Sequence, residues 1–396
     1  MALYHIYLLA YSTITLLFSG VALSRYLRHE LELNLPSVLL LLLPMILQPL
    51  SQFILGGILG LIVFATACYY IFNNLPQGYL PVKEKAVLIT GCDTGFGHGA
   101  AKHLDALGFY VFAGCLKKGG DGEQALVSEC SNRLVTLQLD VTSDDQVKAA
   151  LEVVKQHLTN KELWGLVNNA GVCIMVETEV CSLDMFQKLW EINCLGQVRM
   201  VKAFLPLLRR FKGRIVNVTS LCAQLYTPSL PAYCSSKAAA AMFTDVLRNE
   251  VKKWGINVSS IEPAGFKTAA TTSGLMQQTI TDMKERLPAE LRPIYGDHYF
   301  NVMQSRLYKE NDPRLETDLT SVYHAITHAL LARRSKTRYV CGYFAPVLAW
   351  MFNHLPNPVL DFIASFSGTL VTKADIVPNG NKKSQTSTKN AAVKQD

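Results

Sequence analysis

The sequence predicts an α/β protein: a single doubly wound parallel sheet preceded by N-terminal transmembrane helices. Two observations lead there. Two long uncharged runs open the chain, and after residue 77 short, almost wholly apolar β-rich runs alternate with helix-length segments. The 396 residues leave room for one large α/β domain and an anchor.

Residues 2–23 contain no Asp, Glu, Lys or Arg, and a second uncharged run extends from Leu33 to Phe72 after a short patch of Arg25, Arg28, Glu30 and Glu32. A bilayer core takes about 20 apolar residues per helix. The first run is one candidate span. The second is long enough for two, with Pro44 and Pro49 marking the expected hairpin turn. Met1–Gly20 has no basic residue other than His5, so neither a cleaved signal peptide nor a mitochondrial presequence is expected. If the second run crosses twice, Arg25, Arg28 and the following domain share one side, cytosolic by the positive-inside rule; a single crossing separates them.

The expected strands are Ala86–Thr90, Tyr110–Ala113, Leu134–Leu139, Gly165–Val167, Arg214–Val218 and Asn257–Ile261. Runs this apolar, separated by helix-length segments, belong to a parallel sheet covered on both faces. Beyond Thr268 the alternation gives way to irregular helical sequence through Glu316. A helix over Leu319–Arg333 and a short strand over Arg338–Val340 complete the sheet. The expected organisation is an anchor over 1–76 with two or three spans, an α/β domain over 84–345, an apolar segment over 346–372 that packs on the domain or dips into the membrane, and a disordered polar tail over 373–396.

The net charge of +7 is spread thinly, in pairs such as Lys117-Lys118, Arg209-Arg210 and Lys252-Lys253, which fits solvated faces and not a nucleic-acid surface. Ten cysteines show no C-x-x-C pair and no spacing that suits zinc, so no metal site is expected. Cys92, Cys115 and Cys194 sit among apolar residues, as reduced buried thiols do.

The first strand runs into Thr90-Gly91-Cys92-Asp93-Thr94-Gly95-Phe96-Gly97, followed by helical Ala100–Leu107. Glycines at such a turn let the backbone approach a pyrophosphate, and the helix N-terminus offers free N–H groups to it. At the end of the second strand, Ala113-Gly114-Cys115-Leu116-Lys117-Lys118 holds no carboxylate that would bind a ribose. Lys117 and Lys118 read as exposed loop lysines there.

Tyr233-Cys234-Ser235-Ser236-Lys237 opens an alanine-rich helix. Residues four apart share a helix face, so Lys237 can hold its charge near the Tyr233 hydroxyl and lower a pKa that is ordinarily about 10. Tyr233 then serves as a general acid or base. Ser220 lies thirteen residues earlier, in the turn after a strand, where a hydroxyl can bond a carbonyl oxygen.

In this combination the chain resembles a short-chain dehydrogenase/reductase over roughly Ala86 to Val340. The family's glycine motif matches Thr90, Gly91, Gly95 and Gly97, its adenine-binding aspartate matches Asp140, and its N-N-A-G stretch matches Asn168-Asn169-Ala170-Gly171. The family's catalytic asparagine, serine, tyrosine and lysine match Asn193, Ser220, Tyr233 and Lys237. The resemblance implies a Rossmann-type fold and a dinucleotide site drawn from Gly91, Thr94, Gly95, Phe96, Gly97, Asp140, Asn168, Ala170, Tyr233, Lys237, Pro263 and Thr268. It also implies that Tyr233 exchanges the alcohol proton, Ser220 positions the oxygen, Lys237 lowers the tyrosine pKa and holds the nicotinamide ribose, and Asn193 supports a water relay. One departure stands out: the family's Pro-Gly after the sixth strand is Pro263-Ala264 here. A positive φ at Ala264 would disturb cofactor geometry.

The stretches Gly91–Gly97, Phe112–Leu116, Leu163–Val172 and Leu287–Phe300 resemble the branch holding retinol, 17β- and 11β-hydroxysteroid and 3-hydroxybutyrate dehydrogenases. That branch mostly uses NAD, which makes NAD the expected cofactor, with NADP still open. Its steroid and retinol members are membrane-bound, which suits the N-terminal runs and favours the endoplasmic reticulum over a mitochondrial membrane. The linker Leu221–Ala232 contains no Lys, Arg or His, so an apolar alcohol or ketone is preferred to a carboxylate, which would need a cationic partner when buried. Lys267 or Arg286 keeps the hydroxybutyrate reading open, Ala264 keeps open an inactive membrane-bound scaffold, and a homodimer is a further expectation.

Overall fold

The computed structural model describes residues 2–27, 31, 34–55, 57–75, 78–158, 161–268, 274–306 and 315–365. The polar tail expected over 373–396, and the end of the apolar segment before it, lie outside these residues. The chain divides into two compact units, Met1–Pro81 with Leu331–Ser335, and Val82–Leu330 with Lys336–Asp396.

The first unit holds three helices: α1 (Ala2–Leu27), α2 (Leu35–Ile54) and α3 (Gly57–Asn74). His5–Leu27 and Leu35–Ile54 are long and apolar enough to cross a membrane, and Gly57–Phe72 is a shorter apolar helix. The hairpin turn is not at the prolines. Pro44 and Pro49 lie inside α2, and the break falls between Ile54 and Gly57, whose φ is +48°. Proline's fixed φ of about −65° already suits a helix, whereas a left-handed φ is inexpensive only at glycine. Close approach is also glycine's work at Gly60, where a Cβ would stand 2.5 Å from Tyr11 Oη and 2.7 Å from the Ser51 carbonyl oxygen. Arg25, the one basic residue in the last turn of α1, donates from Nη1 to the Phe72 carbonyl at 2.8 Å and lies 3.5 Å over the Phe72 ring.

The second unit is a seven-stranded parallel sheet in the order β3-β2-β1-β4-β5-β6-β7. Its elements are β1 (Lys85–Thr90), α4 (Gly95–Ala106), β2 (Tyr110–Cys115), α5 (Asp121–Glu129), β3 (Leu134–Gln138), α6 (Asp144–His157), β4 (Glu162–Asn168), α7 (Leu183–Trp190), α8 (Gly196–Arg210), β5 (Arg214–Val218), α9 (Pro231–Val251), β6 (Asn257–Pro263), α10 (Gly274–Glu285), α11 (Asp297–Arg306), α12 (Thr320–Leu331), β7 (Arg338–Cys341), α13 (Ala345–His354) and α14 (Asn357–Ser365). All seven expected strands are present. β2 runs two residues further than the sequence suggested and β4 starts three residues earlier, because pairing with β3 and β1 continues past the apolar run.

Packing explains the continuous apolar strands. Val87, Leu88 and Ile89 are fully buried, and Met200, Phe204 and Leu208 of α8 join Leu88, Leu166 and Ile215 in one core cluster. The strand order reverses between β1 and β4, which opens a crevice at their carboxyl ends. Every sequence-derived site residue except Asp140 lies near the carboxyl ends of β1, β4, β5 and β6 or on the helices that follow them.

The apolar segment after β7 forms α13 and α14. Ala345 and Ala349 pack with Leu221, while Tyr343, Phe344, Val347, Trp350 and Phe362 stay exposed. At the sheet's β7 edge the fully buried Glu262 accepts from Arg338 Nη1 at 2.6 Å and from Ser260 Oγ at 3.2 Å, and Gln224 Nε2 also donates to it. Burial pushes the Glu262 carboxyl up, and Arg338 opposes that rise. Arg338→Met leaves this carboxyl without its cation. The expected loss is about 2–3 kcal/mol once screening at the partly exposed arginine is allowed for, read as a lower urea midpoint, with Glu262→Gln in the same chain restoring part of it.

Candidate active site

The glycine turn is set by steric exclusion and then laced to β4. Gly91 has φ +70° and Gly95 φ +63°. A Cβ at Gly97 would stand 2.3 Å from the Gly91 carbonyl oxygen and 2.4 Å from Asn169 Nδ2, so no larger residue fits without moving the turn. Thr90 Oγ1 accepts from the backbone N–H groups of Asn169 and Ala170, each at 3.0 Å, and Asn169 Nδ2 donates to the Thr90 and Gly91 carbonyls at 2.9 and 3.1 Å. α4 starts at Gly95, five residues before the sequence suggested, with Thr94 as its N-cap residue. The glycines themselves therefore form its first turn, and its free amides face the crevice end of β1. Thr268 closes on this terminus, its Cβ 3.3 Å from where a Cβ at Gly95 would lie.

The other expected cofactor residues divide. Phe96 packs edge-on to Phe266 with ring centroids 5.4 Å apart. Asp140 Oδ1 accepts from Thr142 N at 2.9 Å and Thr142 Oγ1 at 2.7 Å, an Asx turn. Asn168 is buried, and its Nδ2 donates to Asn217 Oδ1 at 2.8 Å, while Asn217 Nδ2 donates in turn to Thr244 Oγ1 at 2.9 Å. That side chain joins β4, β5 and α9, and its neighbour Asn169 holds the glycine turn. Pro263 ends β6, and Ala264 N donates to the Cys341 carbonyl at 2.9 Å. Among the described residues, positive φ outside glycine occurs only at Glu84, Lys212 and Ser229, so the methyl of Ala264 brings no left-handed strain.

Sequence reading missed Asp93. Its carboxylate accepts from the backbone N–H groups of Leu116 at 2.8 Å and Lys117 at 3.0 Å, tying the glycine loop to the end of β2. This carboxylate comes from β1's loop, and no pattern within β2 could have announced it.

Tyr233, Lys237, Ser220 and Asn193 converge. Lys237, itself buried, donates from Nζ to the Val218 carbonyl at 3.1 Å, and Nζ lies 5.9 Å from the Tyr233 ring centroid. Ser220 is extended and caps the turn Leu221–Ala223, its Oγ accepting from Cys222 N at 3.1 Å. Asn193 is fully buried in the π-helical turn Glu191–Leu195, a local widening of the kind that recurs at functional sites. Its Oδ1 accepts from Val172 N at 2.9 Å, and its Nδ2 donates to the Val172 carbonyl and Ser236 Oγ, both at 2.9 Å. Asn193 Oδ1 and Lys237 Nζ lie 3.1 and 3.2 Å from the point a Cβ at Gly171 would occupy, so glycine there leaves the two groups adjacent.

The electrostatics differ from the sequence expectation. Burial pushes the Tyr233 phenol well above its ordinary value, and the Cys173 and Cys222 thiols add to the rise while the Ser220 hydroxyl opposes it. Burial also pulls the Lys237 ammonium down to about 8. Lys237 does not prevail over burial here, because both members of the pair leave water together.

A parallel sheet with its switch-point crevice, a glycine-bounded helix N-terminus and a buried Tyr/Lys/Ser/Asn group define a dinucleotide-dependent oxidoreductase. A family model described as short chain dehydrogenase matches residues 85–278. The chain is 40% identical to the human 17-beta-hydroxysteroid dehydrogenase type 2 over 314 residues, 78% of this chain and 81% of that one. It is 41% identical to the bovine mitochondrial D-beta-hydroxybutyrate dehydrogenase over 291 residues, covering 72% and 84% of the two chains. With the sheep 11-beta-hydroxysteroid dehydrogenase type 2 it shares 39% identity over 346 residues, 86% and 81% of the two. The fold matches a short-chain dehydrogenase from Streptomyces avermitilis with a TM-score of 0.55 at 23% identity, over 72% of this chain and 95% of that one. This chain belongs to the short-chain dehydrogenase family. It interconverts an alcohol and its ketone or aldehyde with a nicotinamide dinucleotide.

The glycine geometry makes a direct expectation. Gly97→Ala should weaken dinucleotide binding by about tenfold or more, because the added methyl displaces the turn that the pyrophosphate approaches, while circular dichroism stays that of the folded chain. Unchanged affinity by fluorescence titration contradicts the assignment.

Proposed function

We propose that Tyr233, Lys237, Ser220 and Asn193 are the catalytic group of an enzyme that acts on an apolar alcohol or ketone of steroid or retinoid size. The nicotinamide ring, when bound, accepts or returns the hydride. Tyr233 Oη exchanges the substrate hydroxyl proton, and the Ser220 hydroxyl, which opposes the rise of the Tyr233 phenol, orients the substrate oxygen. Lys237 supplies positive charge beside the phenol and reaches the ribose. Asn193 holds Val172 and Ser236 in register with Lys237 and supports proton delivery to it. Gly91, Thr94, Gly95 and Gly97 cradle the pyrophosphate, Thr268 closes on it, and Asp140 has Oδ2 free of its turn for the adenine.

One observation carries the substrate class: Tyr233 packs against the apolar cluster of Met175, Val176, Leu230, Tyr299 and Met303, surroundings that favour an apolar substrate over a carboxylate. A hydroxy-acid substrate is the second reading, favoured by Lys284 and Arg292 in a cavity that includes Tyr295. For the cofactor, the Asp93 carboxylate at the end of β2 supports NAD, since it disfavours a 2′-phosphate there.

Purified chain assayed with NAD and NADP against retinol, estradiol, a corticosteroid and 3-hydroxybutyrate tests these readings. Turnover of an apolar alcohol with NAD is expected; turnover of 3-hydroxybutyrate alone overturns the apolar reading. Tyr233→Phe should abolish turnover and leave dinucleotide binding largely intact. A phenol raised by burial stays protonated at neutral pH, so ketone reduction, which needs the phenol, should stay level from about pH 6 to 9 while alcohol oxidation, which needs the phenolate, climbs over the same range. A flat oxidation profile excludes Tyr233 as the proton carrier.

We further propose that α1, α2 and α3 are membrane spans of an endoplasmic reticulum protein. Double crossing by α2 and α3 puts Arg25 and the catalytic domain on the cytosolic side, with a homodimer as the expected assembly. In sealed microsomes, added protease should then digest the C-terminal tail; full protection of the tail without detergent refutes this sidedness.

A further inference from the structure

The fully buried Glu262 takes no part in the proton path, yet its partners lie on both sides of Ser220. Ser260 and Glu262 are two positions apart on β6, so their side chains share one face of the sheet. Ser260 Oγ donates to Glu262 Oε1 at 3.2 Å, and Thr219 Oγ1 lies 2.7 Å from Ser260 Oγ. Because the single hydroxyl proton of Ser260 is directed at the carboxylate, Thr219 is the donor in that second bond. Thr219 N also donates to the Ile261 carbonyl at 2.8 Å, so the residue before Ser220 is held to β6 by backbone and side chain alike.

On the other side of the serine, Gln224 Nε2 donates to Glu262 Oε2. Asn353 Nδ2 of α13 donates to Gln224 Oε1 at 2.8 Å, which fixes the amide with its nitrogen toward Glu262. The turn in between is stiff. Ala223 N donates to the Ser220 carbonyl at 3.0 Å, Gln224 N to the Leu221 carbonyl at 2.9 Å, and Cys222 N to Ser220 Oγ at 3.1 Å. Thr219, Ser260, Glu262 and Gln224 therefore close a hydrogen-bonded ring through the turn, with Ser220 inside its span. The ring also reaches the helix that carries Tyr233 and Lys237: Arg338 donates from Nη1 to Glu262 Oε1 at 2.6 Å and from Nη2 to Asp245 of α9.

We propose that Glu262 is a positioning residue for the reaction: through Ser260 and Thr219 on one side and Gln224 on the other, it clamps the Ser220 turn and sets the serine hydroxyl against Tyr233. This rests on the reading of Ser220 as the group that orients the substrate oxygen. A carboxylate suits the place because it only accepts. An amide there has one acceptor oxygen and two N–H donors, and would meet either Arg338 or Gln224 donor against donor.

The test removes the closing contact without stripping Glu262 of its cation. Gln224→Met keeps the side-chain length and lacks the N–H; Gln224 is half-buried, so the chain should keep its folded circular dichroism. The full-length protein is assayed with NAD on whichever of retinol, estradiol, a corticosteroid or 3-hydroxybutyrate it turns over fastest. Gln224→Met should lower kcat by about tenfold, because a reacting group displaced by a fraction of an ångström loses its alignment. Dinucleotide affinity should change by less than about twofold, since the glycine turn is held by other bonds. Gln224→Lys, which again offers a donor to the carboxylate, should bring kcat back to within about threefold. In a Ser220→Ala background Gln224→Met should cost less than about twofold, because its effect passes through the serine. An unchanged kcat in Gln224→Met, or an equal loss in both backgrounds, overturns the clamp. Full turnover in Ser220→Ala overturns the role of the serine itself, and the clamp with it, so the two failures are told apart.

Discussion

The site depends first on the lacing of β1 to β4 at the point where the strand order reverses. Thr90 Oγ1 takes two backbone N–H groups from the Asn169-Ala170 peptide, and Asn169 returns two bonds to the glycine turn. These bonds replace the sheet ladder just where it ends, which keeps the buried polar backbone satisfied while the two strands diverge. The crevice, the start of α4 and the close approach of Gly97 to Gly91 all follow from that junction. Asp93 extends it sideways to β2, so three strand ends form one connected rim.

On the far side of the crevice, the turn after Ser220 is held from outside the sheet. Gln224 Nε2 donates to the buried Glu262, Asn353 Nδ2 of α13 donates to Gln224 Oε1 at 2.8 Å, and Tyr226 Oη donates to Asp361 of α14 at 2.6 Å. Phe352 adds an edge-on ring contact to Tyr226. The two C-terminal helices therefore fix the loop between the serine and the tyrosine, and with it the spacing of the hydroxyls that handle the substrate oxygen. Burial of this assembly raises the Tyr233 phenol and lowers the Lys237 ammonium together, leaving a neutral acid beside a weakly held proton.

Much of this was legible in local sequence, for identifiable reasons. Strands buried on both faces are nearly continuous in apolar residues, so all seven expected runs are strands. The glycine spacing and the Tyr233/Lys237 pair are short-range patterns, and helix periodicity alone sets that pair on one face. The proline reading of the anchor failed because an apolar helix accommodates proline's φ, while the turn required the left-handed φ of Gly57. Asn168 and Asn169 look equivalent as neighbours in one stretch until alternation turns one side chain into the core and the other to the glycine turn.

By itself the sequence determined the order of strands and helices, the uncharged N-terminal runs, and the residue types of the active site, since each rests on neighbours within a few positions. Tertiary structure alone decided the partners: Asp93 with the end of β2, Glu262 with Arg338, and Gln224 with Asn353. These pairs are separated by between 23 and 129 positions along the chain. No local periodicity links residues so far apart, and only the closing of the sheet and the packing of α9 and α13 against it bring them together.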